Sequence, residues 1–170
     1  MSKILLLGAG YTNDVEWIVY PSKKRKIVKL DNNKKCAPDV VWDLNKHPLP
    51  FKDEEFDEVH AYDVLEHLGS QGDYEFFFKE FTEYWRILKP KGLFVASCPK
   101  HDSIWAFSDP SHKRIITPET VQFLDQSYYK HLGDTKMSDY QSIWKKDFRL
   151  ATMNKDNKDI NYFILQKYAV

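Results

Sequence analysis

The chain has no net charge: 25 Lys and Arg balance 25 Asp and Glu over 170 residues. Whole-molecule attraction to nucleic acid or to an anionic membrane therefore has no support, although a local basic face stays open. Cysteine is scarce, and Cys36 and Cys98 stand without CxxC or CxxxC spacing. That excludes a disulfide framework, leaves a single bridge open, and makes a reducing cytoplasm the default compartment. Long hydrophobic runs are missing too. The apolar start Ile4–Leu7 meets glycine after four residues, too short for a secretory leader or a membrane span. There is no internal repeat and no long low-complexity segment, so solenoids and tails are set aside. What remains reads as one soluble domain over 1–170, and its 15% aromatic content argues for a packed core rather than disorder.

Turning to what is there, "KILLLGAG" is a continuous apolar run ending in glycines, the pattern of a strand buried on both faces. A short helix is expected next over 11–21, capped by Thr12 or Asn13 and ended by Pro21. "KIVKLD" and "DVVWDL" read as second and third strands, and 55–65 gives a fourth centred on Glu58 to Tyr62. The clearest helix covers 72–92, with Phe77, Phe81, Tyr84, Trp85 and Leu88 on one stripe and Pro90 and Gly92 as its stop. "GLFVASCP" is a fifth strand. Thr117 and Pro118 open another helix as N-cap and first helical residue. "DFRLATM" and "NYFILQKYA" flank the polar turn "NKDNKD" as a terminal hairpin. Alternating strands and helices closed by an antiparallel pair give an α/β domain with a mixed sheet. About eight residues join the second and third strands, short of the dozen or so that a helical crossover needs. A loop or single turn is expected there.

Four features fall at the carboxyl ends of successive strands: Gly8 to Gly10, Asp31, Asp43, and "YDVLEH" from Tyr62 to His67. Ligands of open α/β sheets bind outside those ends. Glycines let a ligand approach the backbone, and an acid about twenty residues further on can accept both ribose hydroxyls. A second acid could take an amino hydrogen of a base. The pattern suits an adenosine-bearing ligand without phosphates. GxGxxG would need glycine at Asn13, and there is no GxxxxGK[ST] loop.

These residues carry a resemblance. The stretch from Ile4 to Pro99 resembles a class I S-adenosylmethionine-dependent methyltransferase, close to the type 11 group, with a Rossmann-like sheet and helices on both faces. "PLPFKDEEFDEVHAYDVLEHL" is similar to the family's P-F-x-D-x-x-F-D-x-V and V-L-E-H-[LV] blocks, and "RILKPKGLFVAS" to its L-K-P-G-G stretch. "SDPSHKRIITPETVQFL" is similar to its D-P-x-H and [ST]-P-E segment. The resemblance implies S-adenosyl-L-methionine as cofactor, with Gly8, Ala9 and Gly10 beside its methionine part. It implies Asp31 with Asn32 at the ribose, Asp43 and Leu44 at the adenine, and Tyr62 and Asp63 along the cleft. The acceptor is expected near 100–117 and 127–146, where His101, Asp109 or His112 could take a proton from a nucleophile.

The acceptor itself is not read from the chain; a small molecule, a glycan or a group presented by a macromolecule all fit. Base amino-methylation is disfavoured, because "YDVL" stands where [DNS]-P-P-[YFW] would be. No metal centre is expected, since His101, Asp109 and His112 lack tight ligand spacing. Two other readings stay open. One is an inactive module keeping the fold, motivated by Leu6 where the family usually has an acid. The other is a nicotinamide-dependent oxidoreductase. The basic run Lys23 to Lys26 reads as a solvated edge.

Overall fold

The computed structural model describes residues 1–15, 24–154 and 157–169. Seven strands form one sheet in the order β3-β2-β1-β4-β5-β7-β6. β1 (Ser2–Leu7) lies inside the sheet and pairs in parallel with β2 (Arg25–Asp31) and β4 (Phe56–Tyr62). Four consecutive buried residues, Ile4 to Leu7, suit a strand covered on both faces. β5 (Leu88–Pro99) extends the parallel set beside β4. β7 (Ile160–Tyr168) inserts antiparallel between β5 and β6 (Asp147–Asn154), so β6 runs with the parallel strands. The terminal hairpin expected from the sequence is therefore present.

β3 is shorter than "DVVWDL" suggests, spanning only Val40–Val41 against Leu30 and Asp31. The Trp42 N–H still donates to the Asp31 carbonyl at 3.0 Å, and then Asp43 turns the chain by accepting at its own carbonyl from Lys46 N–H. Turn formation at an aspartate thus wins over strand propensity. The connection before β3 is a single 3-10 turn, Lys34–Cys36, as its length requires.

α1 (Tyr74–Ile87) is capped by Asp73, whose carboxylate accepts from Phe76 N–H at 2.9 Å. Phe77, Phe81 and Tyr84 are buried against the sheet, and the Tyr84 ring stacks on Phe94 with centroids 4.7 Å apart. Each such side chain contributes about 1.5–3 kcal/mol by burial. The helix ends at Ile87, not at Pro90. Leu88 is extended, fully buried and paired with Phe56 in the sheet, and the proline two residues on bars helix at Lys89. Further on come α2 (Trp105–Ser108) and α3 (Pro118–Gln122). Thr117 caps α3 in a reciprocal pair with Thr120, with Pro118 at its start.

Most of the helix expected over 11–21 lies outside the described residues, as does Lys23 of the basic run. Among the described residues no helix is long and apolar enough to cross a membrane.

Candidate active site

The turn after β1 is built on two glycines in the left-handed region, Gly8 at φ +56° and Gly10 at φ +51°. A Cβ on Gly8 would come within 2.5 Å of Val64 Cγ2, so the close packing of this turn on the β4 loop requires glycine. A Cβ on Gly10 would meet nothing within 4 Å among the described residues; there the left-handed conformation favours glycine. Asp31 ties the turn to β2. One carboxylate oxygen accepts from Gly10 N–H at 2.8 Å and the other from Asn33 N–H at 2.7 Å. An ionised carboxylate has about four acceptor positions, which leaves capacity for ligand hydroxyls.

A cleft of about 380 Å³ opens over these strand ends, within the range of small-molecule sites. Gly8, Asp31, Asn32, Asp43, Leu44 and Asp63 line it, joined by Trp42, Asn45, Val64, His67, Leu68 and Lys113. Asp43 accepts from both the backbone and the side-chain amide of Asn45 at 3.0 Å, and these bonds hold its carboxyl below the usual range. Asn45 in turn accepts from Gly69 N–H at 3.0 Å. Asp63 sits at φ +51°, a strained conformation for a residue with a side chain. It is held there by Ser97: Asp63 N–H donates to the Ser97 carbonyl at 3.1 Å, and Ser97 Oγ donates to the Asp63 carboxylate at 3.1 Å.

Three expected cofactor residues do not line this cleft. Ala9 is buried and gives its N–H to the Leu30 carbonyl, and Gly10 turns its N–H onto Asp31. Tyr62 departs most. It shares the pleat of Glu58 and His60, its hydroxyl lies 2.7 Å from His60 Nδ1, and it packs on Leu93, Val95 and Ile164. Strand alternation sends Tyr62 to a different side from Asp63.

A second cavity, about 740 Å³, adjoins the first and shares Asp63 and His67 with it. Glu66, Pro99, Trp105, Asp109, His112, Asn157, Asp159 and Ile160 are among its other walls. Of the residues singled out for proton transfer, Asp109 and His112 are here, whereas His101 is exposed and outside it. The segment bearing His112 is docked by backbone bonds from Lys113 N–H and Arg114 N–H to the Glu66 carbonyl, 2.8 and 3.3 Å. That pairing puts His112 against His67, ring centroids 4.6 Å apart. Asp109 acts at a distance: it accepts from Ser111 Oγ at 2.6 Å, and Ser111 Oγ lies 2.9 Å from His67 Nδ1.

Glu66 is 2% exposed, and neither carboxylate oxygen has a hydrogen-bond partner among the described residues. The Cys98 thiol, a weak donor, approaches it without satisfying it. Burial, with the nearby Asp63 charge adding to it, pushes the Glu66 carboxyl up to about 7. Burial lowers His67, and the neighbouring His112 lowers it further. The ligating atoms of Glu66, His67 and His112 lie within 4.8 Å of one another. Sequence reading passed over Glu66 as part of "VLEH". Its signal was an adjacent Glu–His pair at a strand end.

A family model described as a methyltransferase domain, the type 11 group, matches residues 10–96, just over half of the chain. The chain belongs to this family. Among solved structures, a SAM-dependent methyltransferase from Archaeoglobus fulgidus superposes with a TM-score of 0.62 at 18% identity, covering 98% of this chain and 86% of that one. A SAM-dependent methyltransferase from Aquifex aeolicus gives 0.54 at 14% identity, covering 98% and 82%. The [4+2]-cyclase SpnF gives 0.60 at 12% identity, covering 99% and 75%. At these identities the likeness is one of fold, and the cyclase shows that the fold alone does not set the reaction. No curated protein matches the chain in sequence. S-adenosyl-L-methionine is the cofactor this type 11 methyltransferase domain implies. The cleft suits it in volume, in its exposed glycine backbone and in its two carboxylates, Asp31 and Asp43.

Proposed function

We propose that this protein transfers a methyl group from S-adenosyl-L-methionine, held in the cleft of Gly8, Asp31 and Asp43, to an acceptor seated in the cavity of Glu66, His67 and His112. The observation that carries this reading is the shared wall: Asp63 and His67 border both cavities. Donor and acceptor in adjoining sites meet there without either crossing the protein.

Asp31 takes the ribose hydroxyls through its remaining acceptor positions, while its bonds to Gly10 and Asn33 keep the carboxylate oriented. Asp43 and Leu44 form the adenine end. When bound, the cofactor supplies a methyl group already activated on a positively charged sulfur. The chain's residues then contribute alignment and exclusion of water more than bond polarisation. Asp63 faces that positive region with a carboxylate fixed by Ser97.

For an acceptor hydroxyl or amine, His67 takes the proton at Nε2. Ser111 gives its hydrogen to Asp109, so its oxygen accepts from His67 Nδ1–H and leaves Nε2 bare. Asp109 and Ser111 are positioning residues for that tautomer. His112 packs against the His67 ring from the acceptor side. The acceptor is a small molecule or a group offered by a larger one; Trp105, Pro99 and Ile160 give it an apolar wall, Asp159 and Asn157 a polar one.

Calorimetric titration with S-adenosylmethionine and S-adenosylhomocysteine tests the reading. Binding of either is expected, and no binding of both at millimolar concentration overturns it. A screen of metabolite, glycan, protein and nucleic-acid pools with methyl-labelled cofactor then identifies the acceptor.

A further inference from the structure

We propose that Glu66, His67 and His112 form a binding site for one divalent transition-metal ion, Zn²⁺ in the first place, in the wall of the second cavity. Two nitrogens and one carboxylate oxygen are a donor set that suits borderline cations such as Zn²⁺ and Fe²⁺ and leaves coordination positions open.

Three independent features of the structure support it. First, each histidine has its Nδ1 committed elsewhere. His67 Nδ1 lies 2.9 Å from Ser111 Oγ, and His112 Nδ1 donates to the Ala106 carbonyl at 3.2 Å. Both Nε2 atoms are thereby left as lone-pair donors with the rings held in place, the arrangement that outer partners impose on metal-bound imidazoles. The Ser111–Asp109 bond of 2.6 Å extends the His67 support to a carboxylate.

Second, Glu66 is a buried carboxylate with both oxygens lacking a hydrogen bond among the described residues. In its charged form such a group is costly in a fold unless something of opposite charge meets it. The Arg114 charge reaches Glu66, but its guanidinium is committed to Glu80 at 2.6 Å and to the Leu65 carbonyl at 2.8 Å.

Third, one ligating atom of each residue, a ring nitrogen for each histidine, already falls within 4.8 Å of the other two, on two segments stitched by the Lys113 and Arg114 bonds to Glu66. Ligands of one tetrahedral ion at ~2.1 Å sit roughly 3.4 Å apart. Metal binding therefore draws the three side chains together by up to about 1.4 Å. Resting on the methyl-transfer reading, an ion on His67 Nε2 takes the place of the proton that nitrogen would otherwise accept, and its open positions face the acceptor cavity and favour an acceptor whose hydroxyl the ion itself makes more acidic.

The test uses the full chain, freed of metal with a chelator and titrated with ZnCl₂ by calorimetry, with Co²⁺ as a spectroscopic probe. One equivalent of Zn²⁺ is expected to bind at micromolar concentration or tighter, and Co²⁺ to develop visible absorption bands. Glu66→Gln, His67→Ala and His112→Ala should each weaken Zn²⁺ binding at least tenfold, while His101→Ala, an exposed histidine outside the cluster, should not. Folding of every variant is checked by circular dichroism. Should His67→Ala fail to fold, His112→Ala and the wild-type Co²⁺ spectrum carry the decision.

Absence of binding at 100-fold excess metal, or equal affinity in wild type and the two remaining variants, overturns the site. S-adenosylhomocysteine is titrated separately. Cofactor binding without metal binding refutes only the metal site. Metal binding without cofactor binding refutes only the methyl-transfer reading.

Discussion

Two regions of this protein bury carboxylates, and they treat them in opposite ways. On α1, Glu83 accepts from Leu49 N–H at 2.7 Å and from Arg86 through two nitrogens at 2.9 and 2.8 Å. Burial raises its carboxyl, but the bonds from Arg86 and Leu49 outweigh it and the net displacement is downward. Glu80, entirely buried, holds Arg114 at 2.6 Å and the Tyr84 hydroxyl at 2.9 Å. After β4, Glu66 is as deeply buried and has no such donors among the described residues. The contrast separates acids that the fold has completed from one that it has left open. An open acid in a cavity wall is what the proposed metal site accounts for.

The sharpest way to break this comparison is to strip a completed acid of its partner. Arg114→Ala leaves Glu80 buried beside a phenol, and an unfolding free energy lower by about 3–5 kcal/mol is expected in urea titration. Lysine should rescue it only in part, because Arg114 serves Glu80 and the Leu65 carbonyl through different nitrogens.

Glu83→Gln comes next, with a loss of about 1.5–3 kcal/mol at pH 7, the range for hydrogen bonds to a charged group. The pH dependence has a definite sign. A carboxyl lowered in the folded state adds stability above its unfolded value near 4.5 and loses it as pH falls through the folded value. The wild type should therefore weaken on acidification below pH 4.5 more steeply than Glu83→Gln does. Parallel profiles would remove Glu83 from the completed class.

Asp31 stands between the two classes, half satisfied by backbone and half free for ligand. Asp31→Ala should weaken S-adenosylhomocysteine binding by about 1.5–3 kcal/mol in calorimetry. Unchanged affinity in a folded variant would mean that the ribose sits elsewhere. The smallest effect belongs to Glu66. Its carboxyl is raised to about 7 in the folded state against an ordinary 4.5, so its contribution to stability declines as pH rises across that window. In chelator-containing buffer at pH 8, Glu66→Gln should unfold no more easily than wild type, and somewhat less easily if the amide finds a partner. A loss as large as that of Glu83→Gln would erase the distinction.

How much of this was legible in the chain follows from which interactions are local. Apolar runs, glycines and strand-ending acids are local, so the sheet, the short β2–β3 passage, the terminal hairpin and the grouping of Asp31 with Asp43 could be read directly. Tyr62 was misread because it was grouped with its neighbour Asp63, although alternation along β4 puts it with Glu58 and His60. The end of α1 was placed late because Leu88 looks like the next residue of an apolar stripe. Only the sheet, through Phe56, tells it to extend.

Glu66, His67 and His112 were the least legible. Forty-five residues separate the two histidines in sequence, and they meet only because two backbone amides choose the Glu66 carbonyl.

The wall formed by Asp63 and His67 has a thermodynamic consequence as well as a spatial one. Any ligand that changes the charge or orientation of these two side chains in one cavity alters the affinity of the other for its own ligand. Linkage makes the effect reciprocal, by the same factor in each direction. Under the proposed methyl transfer, occupancy of the two sites is a coupled equilibrium, and the balance between cofactor before and after methyl loss sets how firmly the second cavity holds its guest.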